Sequence, residues 1–204
     1  MNSKMWTKHE FNLRDVSSGD RRRRYEVIIA GVGGQGVLTV GQLLAEAAMT
    51  EYSFVTWCPS YRAAMRGGAS ECTVIFSREE IASFLLSQAD VVIIMAVSQL
   101  STFLWRVKPK GSLIFETAGL KEEVNRTDIQ LFPIPAIETA NRMGNVQAAN
   151  LILLGSYLEI TKALPIERVY FQLEKKFISR AKSLDFNKKA LEKGMEIVRL
   201  NFNR

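Results

Sequence analysis

A short apolar segment that runs straight into six glycine-rich residues constrains the fold of this chain more than any other feature. Residues 25–30 read Tyr-Glu-Val-Ile-Ile-Ala, and β-branched residues in such a run are typical of a buried strand. Residues 31–36 read Gly-Val-Gly-Gly-Gln-Gly, and residues 37–49 then space their leucines as a helix does. The order strand, glycine turn, helix predicts the first unit of an α/β protein.

Strands and helices alternate along most of the remaining chain. Further strands are predicted at residues 53–57, 71–76, 90–96, 112–116 and 129–133, with a loop at 58–70 and a turn at 108–111. Helical patterns occupy residues 99–107 and, after a segment at 136–142, residues 147–161, 165–180 and 185–202. Pro165 suits a first helical turn and Asp185 suits a helix cap. Because several strands are apolar nearly end to end, we predict an α/β fold that is three-layered and Rossmann-like, with a mainly parallel sheet, helices on both faces and a helical C-terminal region.

The length and composition fit one globular domain. The chain has 204 residues, of which 47% are hydrophobic and 24% are charged, as is usual for such domains. We expect residues 25–204 to form this single α/β domain. Residues 1–24 mix polar and charged types without a period, and we expect a flexible N-terminal extension or a clasp for a partner.

The net charge of +6 is weak evidence for a nucleic-acid partner, because four of the basic residues are one run of arginines at positions 21–24. Such runs are usually solvated, so we expect no nucleic acid. The longest apolar runs are far shorter than the roughly 20 residues that span a bilayer. No long apolar stretch with a cleavage site follows the arginines. We therefore expect a cytoplasmic protein without a membrane span.

Few residues could hold a metal or act as a general base. The two cysteines, Cys58 and Cys72, do not form a Cys-x-x-Cys pair, and the single histidine, His9, lies in the polar N-terminal stretch. Iron–sulfur and zinc sites need more cysteines at closer spacing. The sequence therefore predicts no metal site and no Ser-His-Asp triad in this chain, and it identifies no independent catalytic residue.

The glycine segment fits the motif G-x-G-x-x-G in the context that the motif requires, after a predicted strand and at the start of a predicted helix. The candidate anion- or nucleotide-binding residues are Gly31, Gly33, Gly34, Gln35 and Gly36. Glycines here allow a tight turn and let backbone N–H groups approach a phosphate, and we expect a positive φ at Gly33. The alternative is a turn that only lets the strand and the helix pack closely.

A dinucleotide site needs an acidic residue about 20 positions further on, where it holds the ribose hydroxyls. That place holds Thr56, Trp57 and Cys58. The motif is therefore incomplete as a dinucleotide site.

The predicted loop at residues 58–70 carries a second candidate site. Its candidate residues at a partner or a substrate are Ser60, Tyr61, Arg66, Gly67 and Gly68. The loop follows the second strand, at the edge of an α/β sheet where ligands gather, and its arginines could face an acidic group. The alternative is a solvated surface loop. Three asparagines near Gly144, namely Asn141, Asn145 and Asn150, are predicted to cap a turn and a helix start.

Six short segments together resemble one known family. They are Gly-x-Gly-Gly-Gln-Gly at 31–36, Pro-Ser-Tyr at 59–61 with Arg-Gly-Gly at 66–68, Ile-Pro-Ala at 134–136, Ala-Ala-Asn at 148–150 and Leu-Gly at 154–155. Their order and spacing resemble the gamma subunit of the 2-oxoacid:ferredoxin oxidoreductases. The family loop commonly reads Tyr-Gly-x-Glu before Arg-Gly-Gly, whereas Arg62 and Ala64 stand at the glycine and glutamate positions here. A role that depends on that carboxylate is not carried over.

The resemblance implies a multisubunit enzyme that oxidatively decarboxylates a 2-oxoacid, passes electrons to ferredoxin and forms an acyl-CoA. It implies alpha and beta partner subunits, with a delta subunit as a further candidate, and places thiamine diphosphate and iron–sulfur clusters on those partners. Coenzyme A would be used by the complex, and Tyr61 and Arg66 would lie near a shared site. The chain itself has Gly-Asp only at Gly19-Asp20, which Arg21 follows, so a Gly-Asp-Gly thiamine diphosphate motif is lacking.

Two other functions stay open from the residues alone. One is a free-standing Rossmann-type protein that binds NAD(P) or FAD, which would need a ribose-binding acid, a base and a substrate domain. The other is a nucleotide-sensing or scaffold module. The sequence does not indicate which 2-oxoacid is used, and 2-oxoglutarate is the first candidate.

Overall fold

The computed structural model describes residues 24–61, 68–121 and 123–202. The strands are β1 (Arg24–Val32), β2 (Phe54–Tyr61), β3 (Ala69–Ser77), β4 (Ala89–Ile94), β5 (Val107–Glu116) and β6 (Gln130–Ile134). The helices are α1 (Val37–Ala48), α2 (Leu100–Phe103), α3 (Ala136–Arg142), α4 (Ala149–Thr161), α5 (Ile166–Lys176) and α6 (Ala181–Phe202). In these ranges no helix is long and apolar enough to cross a bilayer.

The strands form one mixed sheet in the order β2-β3-β1-β4-β5-β6. The neighbours β1, β4, β5 and β6 are parallel, whereas β3 is antiparallel to both β1 and β2. The predicted α/β class and the parallel core of the sheet are confirmed. The antiparallel strand β3 is the exception, because only residues 62–68 separate it from β2, too few for the crossover of about a dozen residues that a parallel strand needs.

The hairpin also corrects the predicted loop at residues 58–70. Strand β2 continues to Tyr61, which pairs with Ser70, and Pro59 pairs with Cys72. Strand β2 is the edge strand of the sheet, where a proline such as Pro59 costs no ladder hydrogen bond. Ser60 and Tyr61 are therefore the last residues of a strand.

The two faces of the sheet are covered unequally. On one face, alternate residues of β1 such as Val27 and Ile29 pack with α1, α4 and α6 in the larger core cluster. On the other face, Ile28 and Ala30 pack with Phe103 in a smaller cluster. This second face is covered by the one-turn helix α2 and the short 3₁₀ turns on either side of it. The three predicted layers are present, and one of them is thin.

Four local predictions are wrong. Residues 99–107 form only α2 and a 3₁₀ turn, and the predicted turn at 108–111 lies within β5, where Lys110 has φ +64° and the pairing with β4 is irregular. Helix α5 ends at Lys176, four residues before position 180. Helix α6 starts at Ala181, so that Asp185 lies inside it and is not its cap.

The predicted helical C-terminal region is present, and its central helix is α4. Helix α4 is buried along nearly its whole length and packs against α6. Gly155 of α4 and Gly194 of α6 make this close approach possible, because a Cβ added at either would overlap a backbone oxygen of the other helix. Ser156 donates its hydroxyl to the oxygen of Ile152 at 3.0 Å and lies 3.2 Å from that of Gly194. The first turn of α4 contacts the segment after β1, where Asn150 donates to the backbone oxygen of Gln35.

Candidate functional site

The two loops predicted to carry function lie side by side at one edge of the sheet. Gly31 near the end of β1 and Tyr61 at the end of β2 both pair with Ser70 of β3. The N–H of Gly33 donates to the oxygen of Gly68 at 3.1 Å, so the glycine loop touches the end of the hairpin. By this edge we mean the end of the sheet at which the parallel strands finish. The carboxyl ends of β4, β5 and β6 lie there too, and in α/β sheets ligands bind at this end.

The glycine loop turns at different positions from the one expected. Positive φ angles occur at Gly34 (93°) and Gly36 (77°), and Gly33 does not have one. Gly36 is the residue before α1, where a left-handed backbone lets the chain enter the helix without a side-chain clash. The expectation for Gly33 was wrong, because the tight part of the turn comes one residue later.

Gln35 acts as an internal brace. Its Oε1 accepts from the N–H of Val32 at 2.9 Å, and its Nε2 donates to the oxygen of Met95 at 3.0 Å. Val32 ends β1 and Met95 follows β4, the two strands between which the strand order reverses. The side chain therefore fills the crevice in which α/β proteins usually place a ligand.

Asn150 holds the glycine loop from the helical side. Its Nδ2 donates to the backbone oxygen of Gln35 at 3.1 Å. The predicted capping role is confirmed for Asn145, whose side chain accepts from the N–H of Gln147 at 3.0 Å and starts the 3₁₀ turn before α4. It is wrong for Asn150. Sequence reasoning treated the asparagines as one group because the partner of Asn150 lies 115 positions away in the chain.

The N-terminus of α1 is suited to an anion. No side chain of the described residues caps this helix, and its first turn contains no acidic residue. The first N–H groups of a helix have no acceptor within the helix and carry partial positive charge. Gly34 is exposed, and a Cβ added there would meet no atom within 4 Å. The loop backbone is thus open to solvent at the point where a phosphate would approach.

A buried carboxylate at this edge was missed by sequence reasoning. Glu116, at the end of β5, is 1% exposed and accepts from the N–H groups of Thr117, Ala118 and Ile137 at 2.7–2.8 Å. Ile137 lies in the first turn of α3, so the carboxylate satisfies that helix start. The signal in the sequence is an acidic residue at a strand end, 19 residues before the Pro135-Ala136 helix start. All three contacts are to this chain's own backbone, which gives Glu116 a structural role.

The structure describes only some of the candidate residues in the hairpin. Ser60 is exposed at the end of β2, and Gly68 receives the hydrogen bond from Gly33. Arg66 and Gly67 lie outside the described residues, as does the side chain of Tyr61. Next to Ser60 in the ladder, Glu71 forms an ion pair with Arg106, which also donates to the oxygen of Leu86 at 2.5 Å. The described base of the hairpin is therefore anchored to the thin side of the sheet.

Cys72 is not arranged for catalysis. Cys72 points toward α1, where its Sγ donates to the oxygen of Val37 at 3.6 Å, and burial raises the pKa of its thiol to about 12. A thiol with so high a pKa is not a nucleophile at neutral pH. The described residues contain no group of three or more His, Cys, Asp and Glu side chains that could hold a metal ion.

The sheet order differs from that of a dinucleotide-binding fold. In that fold the strand after the glycine-rich helix lies directly beside the first strand and carries the ribose-binding acid. Here the antiparallel strand β3 separates β2 from β1. Thr56, Trp57 and Cys58 therefore lie one strand further from the glycine loop than a ribose would require.

Comparison with known proteins identifies the family. The model of the pyruvate ferredoxin/flavodoxin oxidoreductase family matches residues 26–197, which is most of the described fold. The chain belongs to this family. It is a homologue of the family's gamma subunits. One of them, the keto/oxoacid ferredoxin oxidoreductase gamma subunit from Geobacter sulfurreducens, matches it over nearly its whole length. That structure is 26% identical, superposes with a TM-score of 0.71, and the match covers 86% of this chain and 99% of the other.

The curated relatives in this family differ in length. The ketoisovalerate oxidoreductase subunit VorA of Methanothermobacter marburgensis is 33% identical over 193 residues, which are 94% of this chain and 40% of that protein. This chain thus spans about two fifths of the length of VorA. The 2-oxoglutarate synthase subunit KorC of Methanothermobacter thermautotrophicus is 32% identical over 145 residues, 68% of this chain and 77% of that one.

A longer solved chain shares the fold. The 2-oxoglutarate:ferredoxin oxidoreductase from Magnetococcus marinus, solved with 2-oxoglutarate, coenzyme A and succinyl-CoA bound, superposes with a TM-score of 0.79 at 22% identity. The match covers 88% of this chain and 32% of that one. In the Magnetococcus enzyme the region that matches this chain is therefore one part of a longer polypeptide.

Proposed function

We propose that this chain works as the gamma subunit of a multisubunit 2-oxoacid:ferredoxin oxidoreductase, which oxidatively decarboxylates a 2-oxoacid to an acyl-CoA. The observation that carries the proposal is the match to the Geobacter gamma subunit over 99% of that chain, together with the family match over residues 26–197. In addition, two loops meet at one end of the sheet, and the described residues contain no cluster of side chains that could hold a metal ion.

Thiamine diphosphate and iron–sulfur clusters belong to the partner subunits in this proposal. The residues of this chain do not fit either group. It has two cysteines, and of these Cys72 is buried against Val37. A cluster needs about four cysteine ligands. We assign the cofactors to alpha and beta subunits, with a delta subunit as a further candidate, and we expect ferredoxin to be reduced by the assembled complex.

The glycine loop fits the anionic part of coenzyme A. The backbone N–H groups around Gly34 and Gly36, at the uncapped start of α1, would hold a phosphate oxygen, and no carboxylate in the first helical turn opposes it. Coenzyme A supplies the thiol that accepts the acyl group. The coenzyme A and succinyl-CoA bound in the Magnetococcus enzyme support its use in a complex of this family. The brace made by Gln35 keeps the backbone in place without itself binding the ligand.

The hairpin is proposed to complete a site shared with a partner subunit. The described base of the hairpin supports this proposal, because Tyr61 pairs with Ser70 and the oxygen of Gly68 accepts from the N–H of Gly33 in the glycine loop. Tyr61 and Arg66 would face the substrate or the partner there. A guanidinium can hold a carboxylate or phosphate through two parallel hydrogen bonds, which suits the acidic groups of a 2-oxoacid and of coenzyme A.

Copurification tests this function. A tagged copy expressed in the source cells should bring down larger chains that carry thiamine diphosphate and iron–sulfur clusters. The purified complex should reduce ferredoxin when a 2-oxoacid and coenzyme A are added, whereas the isolated chain should be inactive and colourless. Because VorA and KorC are about equally similar to this chain, 2-oxoglutarate, 2-oxoisovalerate, pyruvate and indolepyruvate should be compared as substrates. A chain that purifies alone with stoichiometric NAD or FAD would instead support the free-standing nucleotide-binding function.

A further inference from the structure

A cleft of about 610 Å³ lies between α1, the start of α4 and the turn that joins α5 to α6. Its volume is in the range of small-molecule sites. The floor is made of buried apolar side chains of α1 and α4, such as Val40 and Leu151. Gly144 and Ala148 line it where the chain turns into α4, and their small size leaves the space open. The cleft is distinct from the loops described above, which it meets only at Asn150.

The polar part of the cleft is positive. Lys176, at the end of α5, and Lys182, in the first turn of α6, both line it, and none of the described lining residues is an aspartate or glutamate. Within the described ranges neither lysine forms a salt bridge, whereas Lys108, Lys162, Lys188 and Lys193 are all paired with carboxylates. Two unpaired ammonium groups at the rim of one cavity attract an anion of more than one charge.

Polar and aromatic groups complete the lining. The amides of Gln147 and Asn187 and the hydroxyl of Ser183 offer donors and acceptors, and Ser183 and Lys182 lie in the first turn of α6, which contains no acidic residue. Phe177 and Phe186 contribute two half-buried rings. Charged phosphates would fit the lysine rim and the helix start, while a flat ring would fit the aromatic side.

We infer that this cleft binds a nucleoside polyphosphate, at a site separate from the 2-oxoacid chemistry. Lysines provide point charges for the phosphates, and the apolar floor with its aromatic walls receives the base. The site has a direct connection to the glycine loop, because Asn150 lines the cleft and also holds the backbone of Gln35. A ligand that contacts Asn150 in the cleft would therefore act on the backbone of the glycine loop.

Direct binding to the full-length chain tests the inference without any turnover. ATP is titrated by calorimetry at low and at moderate salt. Lys176→Gln/Lys182→Gln should weaken ATP binding by about tenfold or more, since each lost phosphate contact removes a sizeable part of the affinity. The matched control is Lys175→Gln/Lys189→Gln, which removes the same two charges from the same two helices without touching the lining. We expect it to leave the affinity within about twofold at moderate salt.

The possible results separate clearly. Absence of ATP binding, or equal weakening in both double variants, would overturn the site. Tripolyphosphate that binds as tightly as ATP would overturn the assignment of the base to the aromatic walls, and adenosine alone should bind weakly. Circular dichroism and melting temperatures check that the exposed substitutions leave the fold intact. Because these measurements need no partner subunit, they can fail while the gamma-subunit function stands, and the reverse also holds.

Discussion

The side chain of Asn150 at the start of α4 donates to the backbone oxygen of Gln35 at 3.1 Å, across 115 positions of sequence. Gln35 is held at the same time by Val32 of β1 and by Met95 after β4. The glycine loop is therefore fixed by two strands and one helix. Its backbone conformation depends on a helix that packs deep in the core, and this dependence can be measured.

Asn150→Ala should loosen the loop. The lost hydrogen bond is partly buried, and such a loss costs about 1–2 kcal/mol of unfolding free energy. We expect urea denaturation to show this loss and hydrogen exchange to show faster exchange at residues 33–36. Asn141→Ala on the exposed surface of α3 is the control. Unchanged exchange in the glycine loop would mean that Asn150 does not hold it.

Gly36→Ala should cost more stability than Gly34→Ala. Both glycines have positive φ, so an alanine at either position is strained by about 1–2 kcal/mol. At Gly36 the new Cβ would also clash with Nδ2 of Asn150 and displace it from Gln35, whereas the space at Gly34 is open. The excess should equal roughly one hydrogen bond, about 1 kcal/mol.

A double-mutant cycle checks the cause of that excess. In an Asn150→Ala background the clash at Gly36 is gone, so the two glycine variants should become about equally costly. An excess that persists in this background would show that backbone strain alone separates Gly36 from Gly34.

The parts of the fold that depend on neighbours in sequence were predictable, and the parts that depend on distant partners were not. The strand, glycine turn and helix over residues 25–49 follow from local residue types, and the structure has β1 and α1 there. Strand β2 was predicted too short, because the pairing of Pro59 and Tyr61 with β3 outweighs a local loop signal. The thin second face follows from side-chain packing that no period in the sequence reveals.

The candidate site divides in the same way. The meeting of the glycine loop with the hairpin at one sheet edge could be predicted, because both follow strands that end there. The internal roles of Gln35 and Asn150 could not, since their partners are 60 and 115 positions away. Glu116 was recognisable only as a strand end, and its use became clear from the helix start that it satisfies.

Gly194→Ala should destabilise the chain although it improves helix propensity. Alanine gains about 1 kcal/mol over glycine in a helix interior. The added Cβ would overlap the backbone oxygen of Ile152, however, and a backbone atom cannot rotate away as a side chain can. Overpacking of this kind costs about 1–3 kcal/mol or more, so we expect a net loss. Urea denaturation measures it, with the exposed Lys189→Ala on the same helix as the control. A more stable Gly194→Ala variant would show that α4 and α6 can separate without cost.

Glu159 should make stability fall in acid. Burial alone would raise the pKa of this carboxyl, but hydrogen bonds from Arg199, at 2.8 Å, and from Lys162 outweigh it, and the pKa lies below its ordinary value of 4.5. A folded-state pKa that is depressed gives stability that is present above pH 4.5 and is lost as the pH falls through the folded-state value. Between pH 7 and pH 3 the melting temperature of the wild type should therefore decline more steeply than that of Glu159→Gln.

The matched control is Glu196→Gln, which removes an exposed partner of Lys193. Exposed pairs contribute little, so its melting curve should follow that of the wild type at each pH. If the melting temperatures of all three proteins fell equally with pH, Glu159 would not contribute to the loss of stability in acid.

Arg66→Lys tests the proposed role of the hairpin. If the guanidinium faces a carboxylate or phosphate in a shared site, lysine keeps the charge but loses the two parallel hydrogen bonds. The isolated subunit should then keep its unfolding free energy within about 0.5 kcal/mol, while the complex should lose turnover or subunit affinity by roughly tenfold. Arg78→Lys, exposed just beyond the opposite end of β3, is the matched control and should change neither quantity. An Arg66→Lys subunit that melts early alone but gives a complex with normal kinetics would make Arg66 a structural residue of its own domain.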